Sequence, residues 1–123
     1  MELEDLNEWV EAYIEVHESG NSSDETHPCY WAVEKFADLE MDYPDLTWAA
    51  MLQIISKTSS IIVINNLAAG PLEEFVELHG VEYIGKIEKE AQSNLNFRML
   101  LRELWETTDK TIWNRILRAR SDD

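Results

Sequence analysis

A glycine–proline step near the middle of the chain places the tightest local limit on how the chain can fold. It lies in Leu67-Ala68-Ala69-Gly70-Pro71-Leu72-Glu73-Glu74-Phe75-Val76-Glu77-Leu78-His79-Gly80. Gly70 suits the left-handed position just past a helix, where a side chain would clash. Pro71 suits the first position of a new helix, where its missing N–H costs nothing. Glu73 and Glu74 then fall in the first turn, against the positive end of the helix dipole. Gly80 repeats the stop signal. The stretch predicts a helix end at Gly70, a tight corner, a short helix and a second stop.

On either side of that corner the apolar spacing is helical. Leu3, Leu6, Val10, Tyr13, Ile14 and His17 recur at intervals of three and four, which predicts a first helix over 2–17. Ser19 to Pro28 is a polar loop of about ten residues by its small side chains and Gly20, and the weakest place for a proteolytic cut. A second helix is expected over 29–40, with Ala32, Val33, Phe36 and Leu39 inward, and a third over 45–57, with Trp48, Met51, Leu52 and Ile55 inward. Ile61-Ile62-Val63-Ile64 is β-branched throughout, but a lone strand would have no partner. A helix capped by Ser59 or Ser60 is expected instead, with Ile61, Ile64, Leu67 and Ala68 inward. Leu72, Phe75 and Val76 line the corner helix, and Val81, Ile84, Ile87 and Ala91 the next. Asn96 caps a helix bearing Phe97, Leu100, Leu101, Leu104 and Trp105. Asp109 caps the last, with Ile112, Trp113, Ile116 and Leu117, ahead of a Ser121-Asp122-Asp123 tail. Short connections favour antiparallel neighbours packed in order. The expectation is a single all-α domain over 1–123, with seven or eight short helices in a compact orthogonal bundle or a short irregular α-solenoid.

Charge divides the chain unevenly. The net charge is −15, from 25 acidic and 10 basic residues. Residues 1–43 hold 13 acids and the single base Lys35. Between Arg98 and Arg120 the sign reverses, with Arg98, Arg102, Lys110, Arg115, Arg118 and Arg120 exceeding Glu103, Glu106 and Asp109. On the first helix Glu4, Glu8, Glu11, Glu15 and Glu18 form a stripe opposite the apolar one, with no base in that helix to offset them. Like charges at i,i+4 cost a few tenths of a kcal/mol each. The stripe is therefore a candidate partner-binding face as well as an ordinary solvated one. Such a surface repels nucleic-acid phosphate, which excludes direct nucleic-acid binding, and it attracts a basic protein. No apolar run reaches the roughly 18 residues of a membrane span. The acidic start Met1-Glu2-Leu3-Glu4-Asp5 is unlike a signal peptide. The lone Cys29 fits a reducing, cytoplasmic setting.

Catalytic chemistry finds little support. His17 continues the apolar stripe and His79 sits at an expected helix end, so both read as structural. His27-Pro28-Cys29 offers two metal ligands without a pattern to complete a site. Gly70 and Gly80 stop helices and form no phosphate loop. Cys29 has no base nearby in sequence. Glu73 and Glu74 are adjacent, so they point about 100° apart on a helix and make no ready acid–base pair. Trp48, Trp105 and Trp113 lie beside core positions and read as core. Catalytic residues, cofactors and metals are all expected to be absent.

Trp48, the string Leu67 to Glu73, His79-Gly80, Phe97-Arg98, Leu101, Trp105 and Ile112-Trp113 together carry a resemblance. They resemble a small bacterial all-helical domain family of unknown function, marked by a central LAAGPLE…HG motif and a following FR…LL…W helix. The resemblance covers about 44–118 and leaves the acidic 1–43 outside its strongest part. It implies a helical bacterial protein and no set activity. The expected function is non-enzymatic binding, as an immunity-type protein that neutralises a basic toxin and acts as a monomer or homodimer. The alternative is a DNA-mimicking inhibitor of a nucleic-acid-binding enzyme.

Overall fold

In the computed structural model, residues 3–20 and 23–121 are described. The expected helix start at Glu2, the inward Leu3 side chain, loop residues Asn21 and Ser22, and Asp122 and Asp123 of the tail lie outside them. Among the described residues the chain is all helical.

The first helix, α1 (Leu3–Glu18), buries Trp9, Val10, Ala12, Tyr13, Val16 and His17. Leu6 and Ile14 are only partly covered. Trp9 was not among the expected inward residues. It is wholly buried, and its indole N–H donates to the Ala32 carbonyl at 2.9 Å. That bond ties α1 to α2 (Trp31–Leu39), which buries Ala32 and Phe36. Between them, Asp24 Oδ1 accepts from the Thr26 N–H at 2.9 Å and His27 Nδ1 accepts from the Cys29 N–H at 3.0 Å. These local bonds shape the segment into turns.

Pro44 opens α3 (Pro44–Lys57), where its missing N–H costs nothing. A short extended link leads to α4 (Ile61–Leu67), so the β-branched run is helical as expected. Its buried face differs from the expectation. Val63, Leu67 and Ala68 are buried, Ile64 is partly covered, and Ile61 and Ile62 face outward.

The expected corner at Gly70 is absent. Ala68–Leu72 forms a π turn, and Ala68, Leu72 and Glu73 all keep right-handed helical dihedrals. Gly70 does not have positive φ; among the described residues only Gly20 does, at 78°. The chain runs from α4 through the π turn into α5 (Glu73–Ser93), and Gly80 lies inside α5. Two physical facts account for the continuity. Proline has no N–H and its ring crowds the carbonyl four residues back, and a wider π turn relieves both. Burial of Leu67, Ala68, Leu72, Phe75 and Val76 on both sides of the step then holds the helix together.

Asn94, and not Asn96, caps α6 (Leu95–Arg102), accepting from the Phe97 N–H at 3.2 Å. Asn96 donates instead to the Ile55 carbonyl at 3.1 Å. Asp109 caps α7 (Lys110–Ala119) as expected, accepting from the Ile112 N–H at 3.0 Å. Three more expected core residues lie outside: Val81 is 76% exposed, Trp105, beyond the end of α6, is 83% exposed, and Leu117 faces solvent on α7. Trp113 is buried, and Trp48 stacks on Phe75 with ring centroids 5.6 Å apart.

The core is one continuous cluster. α1 packs on α2, α3 and α4, while α5 packs on α6 and most extensively on α7. Gly80 lets that last pair approach: a β-carbon there would stand 3.3 Å from Ile112 Cγ2.

Candidate functional site

Two surfaces stand out, on opposite sides of α1. The outer side carries Glu4, Glu8, Glu11, Glu15 and Glu18, all exposed, while the inner side is core. Three of the five have intramolecular contacts. Glu11 lies 3.5 Å from Lys57 Nζ, Glu15 accepts from the Cys29 thiol at 2.7 Å, and Glu18 accepts from the Thr58 hydroxyl at 3.4 Å. The Glu15 bond, followed by burial, pushes the Cys29 thiol up to about 11, so the thiol stays protonated. Glu8, Glu11 and Glu15 line a shallow trough with Cys29 and the half-exposed Trp31. Lys35 sits over the Trp31 ring, 5.8 Å from its centroid.

The inner side of α1 contributes to a cleft of about 350 Å³ beside the π turn. Tyr13 and His17 come from α1, Phe36 and Glu40 from α2 and the turn after it, and Pro71 and Glu74 from the π turn and the start of α5. Glu40 is only 2% exposed and His17 only 5%. Among the described residues, His17 Nδ1 and Glu40 Oε1 are sealed from solvent without hydrogen-bond partners. Buried polar groups left in this way are costly, and they call for an explanation in function or strain. Burial, and then the nearby Glu74 charge, push Glu40 up to about 8, so at neutral pH it is mostly the uncharged acid. Burial holds the His17 ring below its ordinary range, which keeps it neutral. Tyr13 is raised by burial and then by Glu40. Its ring meets the His17 ring edge-on at 4.4 Å.

The Gly70–Pro71 step of the central motif forms one wall of this cleft. His79, from the second half of the motif, lies outside the lining and holds the backbone of Glu40. His79 Nε2 lies 2.6 Å from the Glu40 backbone carbonyl. A carbonyl only accepts, so Nε2 carries the proton and donates. The expected helix end at His79 is absent, since His79 lies inside α5, and its ring holds the backbone of Glu40. The reading of His17 as a satisfied structural ring is corrected: it is buried beside the cleft with an unmatched nitrogen. The sequence reading passed over Glu40 entirely. It ends an amphipathic helix, and no local spacing links it to His17 or Glu74.

Among the described residues, no group of three or more His, Cys, Asp and Glu is arranged to hold a metal ion. No helix there is long and apolar enough to cross a membrane. The positive segment at the C-terminal end is largely engaged in the fold. Arg115 grips Glu88 with Nε at 2.9 Å. Arg120 lies over Trp113 and donates to the Leu101 and Leu104 carbonyls at 3.2 and 3.0 Å.

No curated protein and no solved structure matches the chain. A family model does match, and it extends further toward the N-terminus than the motif resemblance, taking in α2 and Glu40 while leaving α1 outside. By that match, over residues 19–123, the chain belongs to DUF6869, a family of unknown function.

Proposed function

We propose that the protein works without catalysis, by binding a basic protein partner through the outer face of α1, as an immunity-type protein does when it caps a toxin. The observation that carries this reading is the exposure of all five glutamates on one helical face, with Lys57, among the described residues, the single cation paired with any of them. An unneutralised row of this kind steers a cationic surface into contact. Trp31, half-exposed beside Glu8, Glu11 and Glu15, adds an aromatic anchor of the type that dominates interface energies. In this reading the protein is bacterial and cytoplasmic, a monomer or homodimer. Contact of α1 with three later helices supports a compact bundle over a solenoid, where each unit touches only its neighbours. The DNA-mimic alternative needs acids that continue the row along an elongated face. Beyond α1 the pairing of Glu88 with Arg115 and Glu106 with Lys110 works against it.

The test is charge reversal. Glu8→Lys/Glu11→Lys/Glu15→Lys should keep the fold and lose most binding to a basic protein partner, chiefly through the association rate. Glu15 and Glu11 also contact Cys29 and Lys57. Glu4→Lys/Glu8→Lys, which spares both contacts, should shift binding in the same direction by a smaller amount. Unchanged, salt-insensitive binding by folded variants would overturn the proposal.

A further inference from the structure

We propose that the cleft beside the π turn is a binding site for an organic cation, an ammonium or guanidinium group, held by the carboxyls of Glu40 and Glu74 and the ring of His17. The geometry carries this. Two side chains more than nine-tenths buried, one from α1 and one from the turn after α2, line one cleft, and among the described residues neither has a hydrogen-bond partner. The Tyr13 and Phe36 rings add faces that favour a cation over a neutral guest. The cleft, at about 350 Å³, is at the small end of the roughly 300–1,000 Å³ usual for ligand sites. An anion would meet Glu74 and a chain of net charge −15.

Protonation completes the argument. The titratable groups facing the cleft are Tyr13 and His17 on α1, Glu40 after α2, and Glu74 on α5, with His79 behind Glu40. An entering cation favours the ionised form of Glu40, so its proton leaves for the buffer as the cation binds. Below the Glu40 midpoint of about 8, affinity therefore rises with pH, by at most about tenfold per unit. A neutral His17 remains free to accept a hydrogen bond from the guest.

The experiment is an NMR-monitored titration with n-butylammonium and methylguanidinium chlorides at constant ionic strength, with calorimetry in two buffers of different ionisation heat. Saturable shifts at the Tyr13, His17, Glu40 and Gly70 amides, absent with sodium, are expected together with proton release at neutral pH. Glu40→Gln should lose about tenfold in affinity, the equivalent of one unit of proton linkage. If that variant does not fold, Glu74→Gln at its exposed position decides, with a several-fold loss expected. Shifts that never saturate, or a folded variant that binds as wild type, overturn the site. Capped lysine and arginine peptides identify the source. Tighter binding than the free cations, at the same amides, assigns the site to a partner's side chain, and the reverse assigns it to a free small amine; both support the site. The inference stands apart from the acidic face of α1. Glu8→Lys/Glu11→Lys/Glu15→Lys should bind the small cations as wild type, and a loss there as large as in Glu40→Gln would show only bulk charge and overturn it.

Discussion

Glu40 sets burial against charge within a single residue, and the conflict has a measurable pH signature. Its folded midpoint of about 8 lies above the ordinary 4.5. Across that window the folded chain holds a proton that the unfolded chain has released. Stability therefore falls as pH rises from about 4.5 to about 8 and levels off beyond. His17 acts in the opposite sense. Its folded midpoint is below 6.5, so its contribution is present above 6.5 and is lost as pH falls through the lowered value. Glu40→Gln removes the first slope and keeps the second. Thermal melts across this range should show the variant gaining on wild type steadily as pH rises toward 8, with the largest difference at the alkaline end. Parallel profiles would mean that Glu40 titrates as an ordinary carboxylate.

At the level of helices, the three glycines of the central region behave differently from one another. Gly70 sits in helical backbone, with open space where a β-carbon would go. Alanine there restricts the unfolded chain, which stabilises, but also crowds the Pro71 ring, which disfavours the helical conformation. Gly70→Ala should then change stability by less than about 0.5 kcal/mol, where a left-handed glycine would lose about 1 kcal/mol or more. Gly85 is exposed and unobstructed, so Gly85→Ala should stabilise by about 0.5–1 kcal/mol. Gly80→Ala has the same helical gain but presses on Ile112 across the α5–α7 contact, and crowding of that kind costs about 1–3 kcal/mol. Denaturant melts should rank Gly85→Ala above wild type and Gly80→Ala at or below it. The same glycines show where sequence reading succeeds and where it stops. Period and cap chemistry are local, so the helices around Pro44, the Ile61–Ile64 run and Asp109 were legible. The Gly70–Pro71 step carries break signals just as local, but burial of Leu67, Leu72 and Phe75 on both sides overrides them. Val81 and Trp105 fit apolar spacing yet meet no neighbour to cover them. The acidic face was legible because it lies along one helix. The cleft was not, because Tyr13, Glu40 and Glu74 meet only through tertiary packing.

For the molecule as a whole, the charge acts on folding and on association in opposite senses. Thirteen of the 25 acids fall within residues 1–43 against one base. Much of that charge is crowded onto α1 and the segment after it. Within the fold these carboxylates repel, and compact structure brings them closer than the unfolded chain does. Salt shortens the Debye length from about 30 Å at 0.01 M to about 8 Å at 0.15 M, which screens that repulsion. The melting temperature should therefore rise with sodium chloride over this range. The proposed basic partner would be drawn by the same field, so its association rate should fall over the same range while its dissociation rate changes little. The charge-reversed triple variant separates the two effects. It carries less self-repulsion, so its melting temperature should respond less to salt, and its association rate should be slow and nearly flat. Melts and stopped-flow kinetics on wild type and variant, over one salt series, supply all four curves. If wild-type melting falls with salt, attractive pairs such as Arg115–Glu88 outweigh the acidic field, and the charge on α1 does not govern the stability of the fold.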